Sequence, residues 1–258
     1  MKLSRFTVLF HSLAGIAQLA LLTPTAFAQG ASSSNVLGQL STAFSGAKVI
    51  QQIQLTGNAT WHVGPVEDSG TAALTASSNG TSLMQLALAS AGDRTESQAG
   101  SGLGASCQWA GADGVAHAIQ SGACWRPALW FLPAFSFQPS LLPRELTVAD
   151  LGIGTVGTSD TLLRHLQSQL LMSGASASVT ADVAKWSKTD IYLNPTSLLP
   201  AVLAYSVRPD NGAPTAIAIE VHYSNYRTVN GIQIPFTIQR YVNGALQLEI
   251  QVSAAQIN

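Results

Sequence analysis

Residues 217–257 read IAIEVHYSNYRTVNGIQIPFTIQRYVNGALQLEIQVSAAQI, and this stretch decides the fold. Apolar and polar residues alternate through three successive runs within it: Ile217–Tyr223, Ile232–Gln239 and Leu246–Val252. Alternation with a period of two gives a strand one apolar face and one wet face. The stretch therefore predicts three half-buried strands, with Gln247 on the wet face of the last one.

The breaks between these runs carry the second signal. Asn230-Gly231 and Asn243-Gly244 separate the strands, and Asn-Gly readily takes the positive φ angles of a type I′ hairpin turn. Two such turns between alternating runs predict a β-meander. Pro235 cannot donate to a ladder, so we expect it at an edge or a bulge.

The N-terminus has the pattern of a secretory signal peptide over residues 1–28. Lys2 and Arg5 precede a mainly apolar run, and Ala26-Phe27-Ala28 matches an A-x-A cleavage site. The alternative is an uncleaved membrane anchor, which that small-residue site disfavours. Residues 29–258 would form a single β-rich domain, without a transmembrane segment and exported to a bacterial periplasm or secreted.

Composition excludes several classes of function. Charged residues make up 10% of the chain, the formal net charge is −1, and no Lys/Arg run occurs, so we expect no nucleic-acid partner. His62, His117, His165 and His222 form no zinc-binding spacing, and no nucleophile elbow or phosphate loop is present. We therefore expect no catalytic site, no metal and no cofactor.

Two cysteines, Cys107 and Cys124, are predicted to form a disulfide, as an even pair in an exported protein suggests. They would lie near the base of a hairpin that turns at Asp113-Gly114. The alternative is a metal pair, for which only His117 is near.

The N-terminal half predicts a helix followed by strands. Val36, Leu40 and Phe44 fall on one helical face. Residues 50–63 follow as a first strand whose alternation shifts phase near Gly57, which suggests a bulge. Asn79-Gly80 predicts a further hairpin between residues 67–76 and 82–89.

Residues 125–142 interrupt the strand pattern. Five aromatic residues alternate there with prolines, so we expect a short helix or an irregular flap instead of a strand. This segment is either a plug in the core under the sheet or an apolar lid over a cavity. Farther along, leucines in residues 161–172 are spaced as in a helix.

The C-terminal motifs resemble those of a known superfamily. Tyr226-Arg227-Thr228-Val229-Asn230-Gly231-Ile232-Gln233-Ile234-Pro235 is similar to a strand pair of the outer-membrane lipoprotein carriers, the LolA/LolB-like superfamily. Asp190–Pro200 resembles the hairpin that precedes it. The similarity covers residues 188–258 and is loose elsewhere.

The resemblance implies a curved, incomplete antiparallel half-barrel, capped by helices, whose apolar concave face takes acyl chains. It also implies that residues 161–172 form a strand, and we prefer this to the helix. The cavity arginine of these carriers aligns with no motif here, so no ligand contact is carried over from the family.

Our first hypothesis is an exported, non-enzymatic binding or carrier protein whose half-barrel of about ten strands holds a lipid or another apolar ligand. Its partner would be a lipid or an acylated protein. The lid would be Trp125, Trp130, Phe131 and Phe135, and the concave face Val221, Ile234, Ile238, Leu248 and Ile250. The alternative is an envelope scaffold or partner-binding module with a filled core, in which the same residues are core. A hydrolase, the third hypothesis, requires a His–carboxylate pair in a cleft.

Overall fold

The computed structural model describes residues 33–46, 48–119, 121–125, 130–138, 142–209 and 215–258. The predicted signal peptide, residues 1–28, lies outside the described residues. The helices are α1 (Ser33–Ser45), α2 (Ser121–Cys124), α3 (Pro133–Ser136) and α4 (Ala177–Ser187). The strands are β1 (Gln52–Val63), β2 (Val66–Ser77), β3 (Ser82–Leu88), β4 (Gly92–Ala99), β5 (Ser106–Ala110), β6 (Ala116–Ile119), β7 (Leu146–Gly154), β8 (Leu163–Leu170), β9 (Thr189–Leu193), β10 (Pro200–Val207), β11 (Ile217–Val229), β12 (Ile232–Val242) and β13 (Ala245–Ile257).

All thirteen strands form one open antiparallel sheet, in the order β6-β5-β4-β3-β2-β1-β13-β12-β11-β10-β9-β8-β7. Strands that follow each other along the chain are neighbours in the sheet, except that β6 and β7 lie at opposite edges and β1 pairs with β13. The chain therefore starts in the middle of the sheet, runs to one edge, crosses to the other edge and returns. This confirms the mainly β, incomplete barrel with an N-terminal helix, built from more strands than the ten or so expected.

Local turn chemistry fixes the C-terminal meander as predicted. Asn230 and Gly231 have φ angles of 50° and 81°, and Asn243 and Gly244 have 49° and 80°. Both dipeptides thus hold the positive φ pair that a type I′ turn requires. The three strands they join, β11, β12 and β13, pair antiparallel in sequence order.

Of two predicted irregularities, the bulge near Gly57 is confirmed, whereas the expected edge or bulge at Pro235 was wrong. The ladder between β1 and β13 shifts register between Thr56 and Gly57. Pro235 lies on β12, an interior strand, and pairs with Tyr226 of β11. The ladder from β12 to β13 begins only at Thr237, so Pro235 is paired on one side alone and no ladder hydrogen bond is lost to β13.

Residues 161–172 contain a strand, β8, so the strand implied by the resemblance is confirmed and the helical spacing was misleading. Leu166, Ser168 and Leu170 are buried while Gln167 and Gln169 are half-buried, which is the alternation of a strand. Because a serine occupies one of the inward positions, the remaining leucines have the spacing of a helical stripe.

The concave face of the sheet is covered by α1 and by part of the chain that crosses between the edges. Val36, Leu40 and Phe44 of α1 are each 1% exposed, and α1 packs on β12 and β7. We call residues 130–138 the crossing segment. Its Phe137 ring stacks on Phe44 with the ring centroids 5.8 Å apart.

Candidate functional site

An ion pair spans the concave face between β12 and β4. Arg240 Nη1 donates to Glu96 Oε2 at 2.8 Å, and Arg240 Nη2 donates to Glu96 Oε1 at 3.0 Å. These strands are five positions apart in the sheet, which is roughly 24 Å along a flat sheet at about 4.8 Å per strand. Direct contact between the two side chains therefore shows that the sheet curls around this site.

Strand alternation places Arg240 inside. Ile234, Ile238 and Arg240 lie on the same phase of β12, and all three are buried. Arg240 continues the apolar row but is charged, and with Asp68 it is one of two buried charged residues in the part of the chain that the structure describes. Its side chain is 9% exposed.

The opposite wall is unusual because β4 has no apolar face. Arg94 and Glu96 are the ladder partners of Leu86 and Met84 on β3, whose side chains are in the core. Register with β3 therefore turns the two charged residues toward the concave side of the sheet.

A β-bulge beside Arg240 brings in a further polar group. The ladder between β12 and β13 shifts between Arg240 and Tyr241, so Gln247 is displaced from the regular alternation. Its Oε1 accepts a hydrogen bond from Arg240 Nε at 3.0 Å. Gln247 was predicted on the wet face of β13, and the bulge is the reason why it lines the interior instead.

Arg94 is less completely paired than Arg240. Its Nε lies 3.8 Å from Glu96 Oε1 and, although buried, has no hydrogen-bond partner among the described residues. Its guanidinium carbon lies 4.5 Å from the Trp61 ring centroid and 5.2 Å from that of Trp109. Arg94 thus contacts two indole rings, and these contacts use none of its N–H groups.

The crossing segment covers the Arg240–Glu96 ion pair and its neighbours. The Arg240 guanidinium carbon lies 5.0 Å from the Trp130 ring centroid, and the Trp130 carbonyl accepts a hydrogen bond from the Tyr223 hydroxyl. At the far end of the segment, Gln138 Oε1 accepts from the Ile50 amide at 3.2 Å. One end of the segment is therefore tied to β11 and the other to the loop that leads into β1.

The predicted disulfide is present beside the site. Cys107 of β5 and Cys124 of α2 are bonded, with their Cα atoms 5.8 Å apart. The bond fastens α2 to β5, the neighbour of the edge strand β6. Among the described residues, no group of three or more His, Cys, Asp or Glu side chains is placed to hold a metal ion.

These groups surround a cavity of about 350 Å³. Its charged lining residues are Arg94, Glu96, Arg208 and Arg240. Its apolar and aromatic lining includes Trp109, Ile119, Trp130, Phe131, Leu203, Val207, Ile217, Ile219 and Val242. The cavity is therefore mainly apolar, with an excess of positive charge contributed by β4, by β12 and by the residue that follows β10.

The charged groups in the cavity shift each other's pKa values. Burial alone would raise the pKa of Glu96, but Arg240 and Arg94 hold that pKa below its ordinary value. Burial likewise opposes charge on Arg240, yet Glu96 raises its pKa. The pKa of Arg94 is lowered, first by burial and then by Arg240, although Glu96 opposes the shift. Glu96 and Arg240 thus stabilise each other's charge.

The structure separates the four residues predicted as a lid. Trp130 and Phe131 line the cavity. Phe135 is 1% exposed and belongs to the core, and Trp125 is half-buried and is not part of the cavity lining. Contact of any of these residues with a ligand remains a prediction.

The five residues predicted for the concave face lie in the core and not along the cavity. They are each at most 1% exposed: Val221, Ile234, Ile238, Leu248 and Ile250. The crossing segment and α1 share the same core cluster. Ligand contact by these five remains a prediction, and it would require part of that cover to move.

Sequence reasoning missed the charged residues of the cavity. Continuing the alternation of β12 beyond Ile238 would have placed Arg240 on the buried face. No comparable signal existed for Arg94 and Glu96, because β4 is polar on both phases. Their inward direction depends on the register with β3.

Three His–carboxylate pairs lie elsewhere. They are His62–Glu67, His165–Asp190 and His222–Glu220, at 3.5, 2.9 and 2.9 Å. None of these residues lines the cavity. Among the lining residues that the structure describes, there is no His–carboxylate pair.

No protein-family model and no curated protein sequence matches this chain. Solved structures do. A domain described as an outer membrane lipoprotein-sorting protein, from Vibrio parahaemolyticus, aligns with a TM-score of 0.52 at 8% identity, over 87% of this chain and 91% of that chain. A LolA superfamily protein from Nitrosomonas europaea and a DUF1329 family protein from Desulfovibrio piger each give a TM-score of 0.51 at 10% identity, over 88% of this chain and 94% of theirs.

This chain has a LolA-like fold. The resemblance drawn from residues 188–258 is thereby confirmed at the level of fold, and it extends to most of the chain. Among the described residues, no helix has the length and hydropathy to cross a membrane.

Proposed function

We propose that this LolA-like chain is an exported, non-enzymatic carrier that binds a lipid or another apolar ligand in the cavity between β4 and β12. The observation that carries the proposal is the cavity itself. Its volume of about 350 Å³ is in the range of small-molecule sites, and its walls are mainly apolar with a few convergent polar groups.

Burial of hydrocarbon would supply most of the affinity. Trp130 and Phe131 on one side and Leu203, Ile219 and Val242 on the other form surfaces suited to an acyl chain. Each methylene moved from water into such a site contributes about 0.8 kcal/mol. A short length of acyl chain therefore suffices for measurable binding.

The crossing segment would act as the lid. It covers the cavity with Trp130 and Phe131 and is fastened through the Trp130 carbonyl and the Gln138 side chain. Movement of the stretch between these anchors would open a route toward the buried concave-face residues such as Val221 and Ile250. A longer ligand would then occupy the space that the segment now fills.

Two further observations support the carrier assignment. One of the structural neighbours is described as a lipoprotein-sorting protein domain, which makes an acylated protein a second ligand class for this chain. The N-terminal pattern, with its Ala26-Phe27-Ala28 site, supports export to a bacterial periplasm or secretion of residues 29–258 as one domain.

A filled-core scaffold is the second candidate. The burial of all five predicted concave-face residues favours it, since that part of the half-barrel is occupied by side chains. Leu151 and Ile153 on the edge strand β7 are 50% and 60% exposed, and such an edge is suited to pairing with a partner.

Mass spectrometry of an organic extract of the protein, purified without detergent, tests the carrier assignment. We expect a lipid in stoichiometric amount. A carrier can also be purified empty, so the same sample is titrated with a fluorescent fatty acid. An empty extract together with no binding of that probe would overturn the carrier proposal in favour of the scaffold.

A further inference from the structure

We propose that the cavity selects an amphiphile with an anionic head group, a carboxylate or a phosphate monoester, and that the Arg94 guanidinium binds that group. The proposal rests on the carrier function proposed above and specifies its ligand class. The occupant would place its hydrocarbon against the apolar wall and its charge against β4.

The charge of the cavity wall is the first argument. Three arginines and one glutamate line it, a formal excess of two positive charges, whereas the whole chain carries a formal charge of −1. Because Glu96 pairs with Arg240, the two charges in excess belong to Arg94, whose side chain is 31% exposed, and to Arg208, which is exposed. An anionic ligand would supply a counter-ion to these two arginines.

The way in which these charged side chains pair with each other is the second argument. Both Glu96 oxygens accept hydrogen bonds from Arg240, and Gln247 accepts from the remaining Arg240 Nε. Arg240 and Glu96 therefore neutralise each other. Arg94 is left with an ion pair to Glu96 at 3.8 Å, which is beyond hydrogen-bonding distance.

The unused hydrogen-bonding capacity of Arg94 is the third argument. Its Nε is buried and has no hydrogen-bond partner among the described residues. Its guanidinium carbon lies over the rings of Trp61 and Trp109, and these contacts use none of its N–H groups. The N–H groups of a guanidinium match the geometry of carboxylate and phosphate oxygens.

Arg208 lies at the rim of the cavity. It is exposed, lines the same cavity, and sits with its guanidinium carbon 4.7 Å from the Trp186 ring centroid. An arginine there would attract an anion toward the cavity without being needed to hold it. Arg94, which is less exposed than Arg208, then binds the head group.

Isothermal titration with four probes tests the proposal: lauric acid, lauryl phosphate, lauryl alcohol and inorganic phosphate. We expect the two anionic amphiphiles to bind about tenfold or more tightly than lauryl alcohol, because a charge-assisted hydrogen bond distinguishes them. Inorganic phosphate, without the hydrocarbon, should bind far more weakly. The stronger of the two anionic probes identifies the head group as a carboxylate or a phosphate.

Arg94→Met is the diagnostic variant and Arg227→Met its matched control. Arg227 also lies over an aromatic ring, at 4.2 Å from the Phe236 centroid, but is exposed and does not line the cavity. We expect Arg94→Met to weaken anionic amphiphiles about tenfold and lauryl alcohol less than about twofold. Arg227→Met should leave both unchanged.

The outcomes separate the two proposals. Equal affinity for lauryl alcohol and the anionic amphiphiles, or unchanged anion binding in Arg94→Met, would overturn the anion assignment and leave the carrier function standing. Binding of none of the three lauryl probes would overturn both. Should Arg94→Met fail to fold, Arg94→Lys and the comparison of probes on the unaltered protein still decide the question.

Discussion

Arg240 and Glu96 are 144 residues apart along the chain and meet in a two-pronged ion pair across the concave face. The pair joins the two sides of the curled sheet and lines the cavity. Its Arg240 also donates a hydrogen bond to Gln247, which lies at the bulge. It also offers the sharpest test of how the half-barrel is held.

Breaking this pair on one side should be strongly destabilising. Glu96→Gln leaves Arg240 buried without a counter-ion, and we expect it to lower the free energy of unfolding by about 2–4 kcal/mol. The combined change Glu96→Leu with Arg240→Met removes both charges and should be within about 1 kcal/mol of the unaltered protein. Urea denaturation measures both, and a single variant as stable as the double one would contradict the account.

The same pair predicts loss of stability in acid. The pKa of Glu96 is lowered in the folded chain, whereas a glutamate in the unfolded chain has a pKa of about 4.3. The contribution of the carboxylate to the free energy of unfolding is therefore fully present above that value and is lost as the pH falls through the folded pKa. Unfolding followed from pH 7 to pH 3 should show a smaller acid loss for the double variant Glu96→Leu/Arg240→Met. Identical pH profiles for the two proteins would exclude Glu96 as a source of this loss.

The bulge at Gly57 should tolerate no side chain. A Cβ at this position would lie 2.2 Å from the Gln251 carbonyl oxygen on β13, which is backbone and cannot rotate away. Gly57→Ala should therefore lower the free energy of unfolding by about 1–3 kcal/mol. Gly38→Ala in α1 is the matched control, because nothing lies within 4 Å of its Cβ. That change should stabilise by up to about 1 kcal/mol, and equal effects at the two sites in urea melts would contradict the register described.

Reduction of the disulfide should destabilise the protein. Cys107 and Cys124 are separated by 17 positions, for which chain entropy predicts a contribution of about 3 kcal/mol. Thermal unfolding of a Cys107→Ser/Cys124→Ser variant, compared with the oxidised protein, measures it. A melting temperature that does not change would show that the link between α2 and β5 constrains the unfolded chain very little.

Local signals account for much of the fold. Asn230-Gly231 and Asn243-Gly244 encode their turns in two residues each, and the alternation around them encodes the strands. Where an inward position is polar, as at Ser168 of β8, the pattern suggested the wrong element. The helix expected from that leucine spacing was therefore wrong and the strand correct.

The cavity was only partly foreseeable. Trp130 and Phe131 stood out because aromatic residues and prolines break the strand pattern there, and both line the cavity. The contact of Arg240 with Glu96 depends on the curl of six neighbouring strands, and the inward turn of Gln247 depends on a bulge. Neither is encoded within a short window of sequence, so neither was predicted.

The cavity beneath Trp130 is proposed to bind an apolar ligand. The most direct test is to titrate a fluorescent fatty acid into the unaltered protein and into the variants Trp130→Ala and Trp125→Ala. Trp125 is the control because it is near in sequence and half-buried but does not line the cavity. We predict one binding site in the unaltered protein, about tenfold or greater loss of affinity in Trp130→Ala, and little change in Trp125→Ala. Unaltered binding by a folded Trp130→Ala variant would contradict the account.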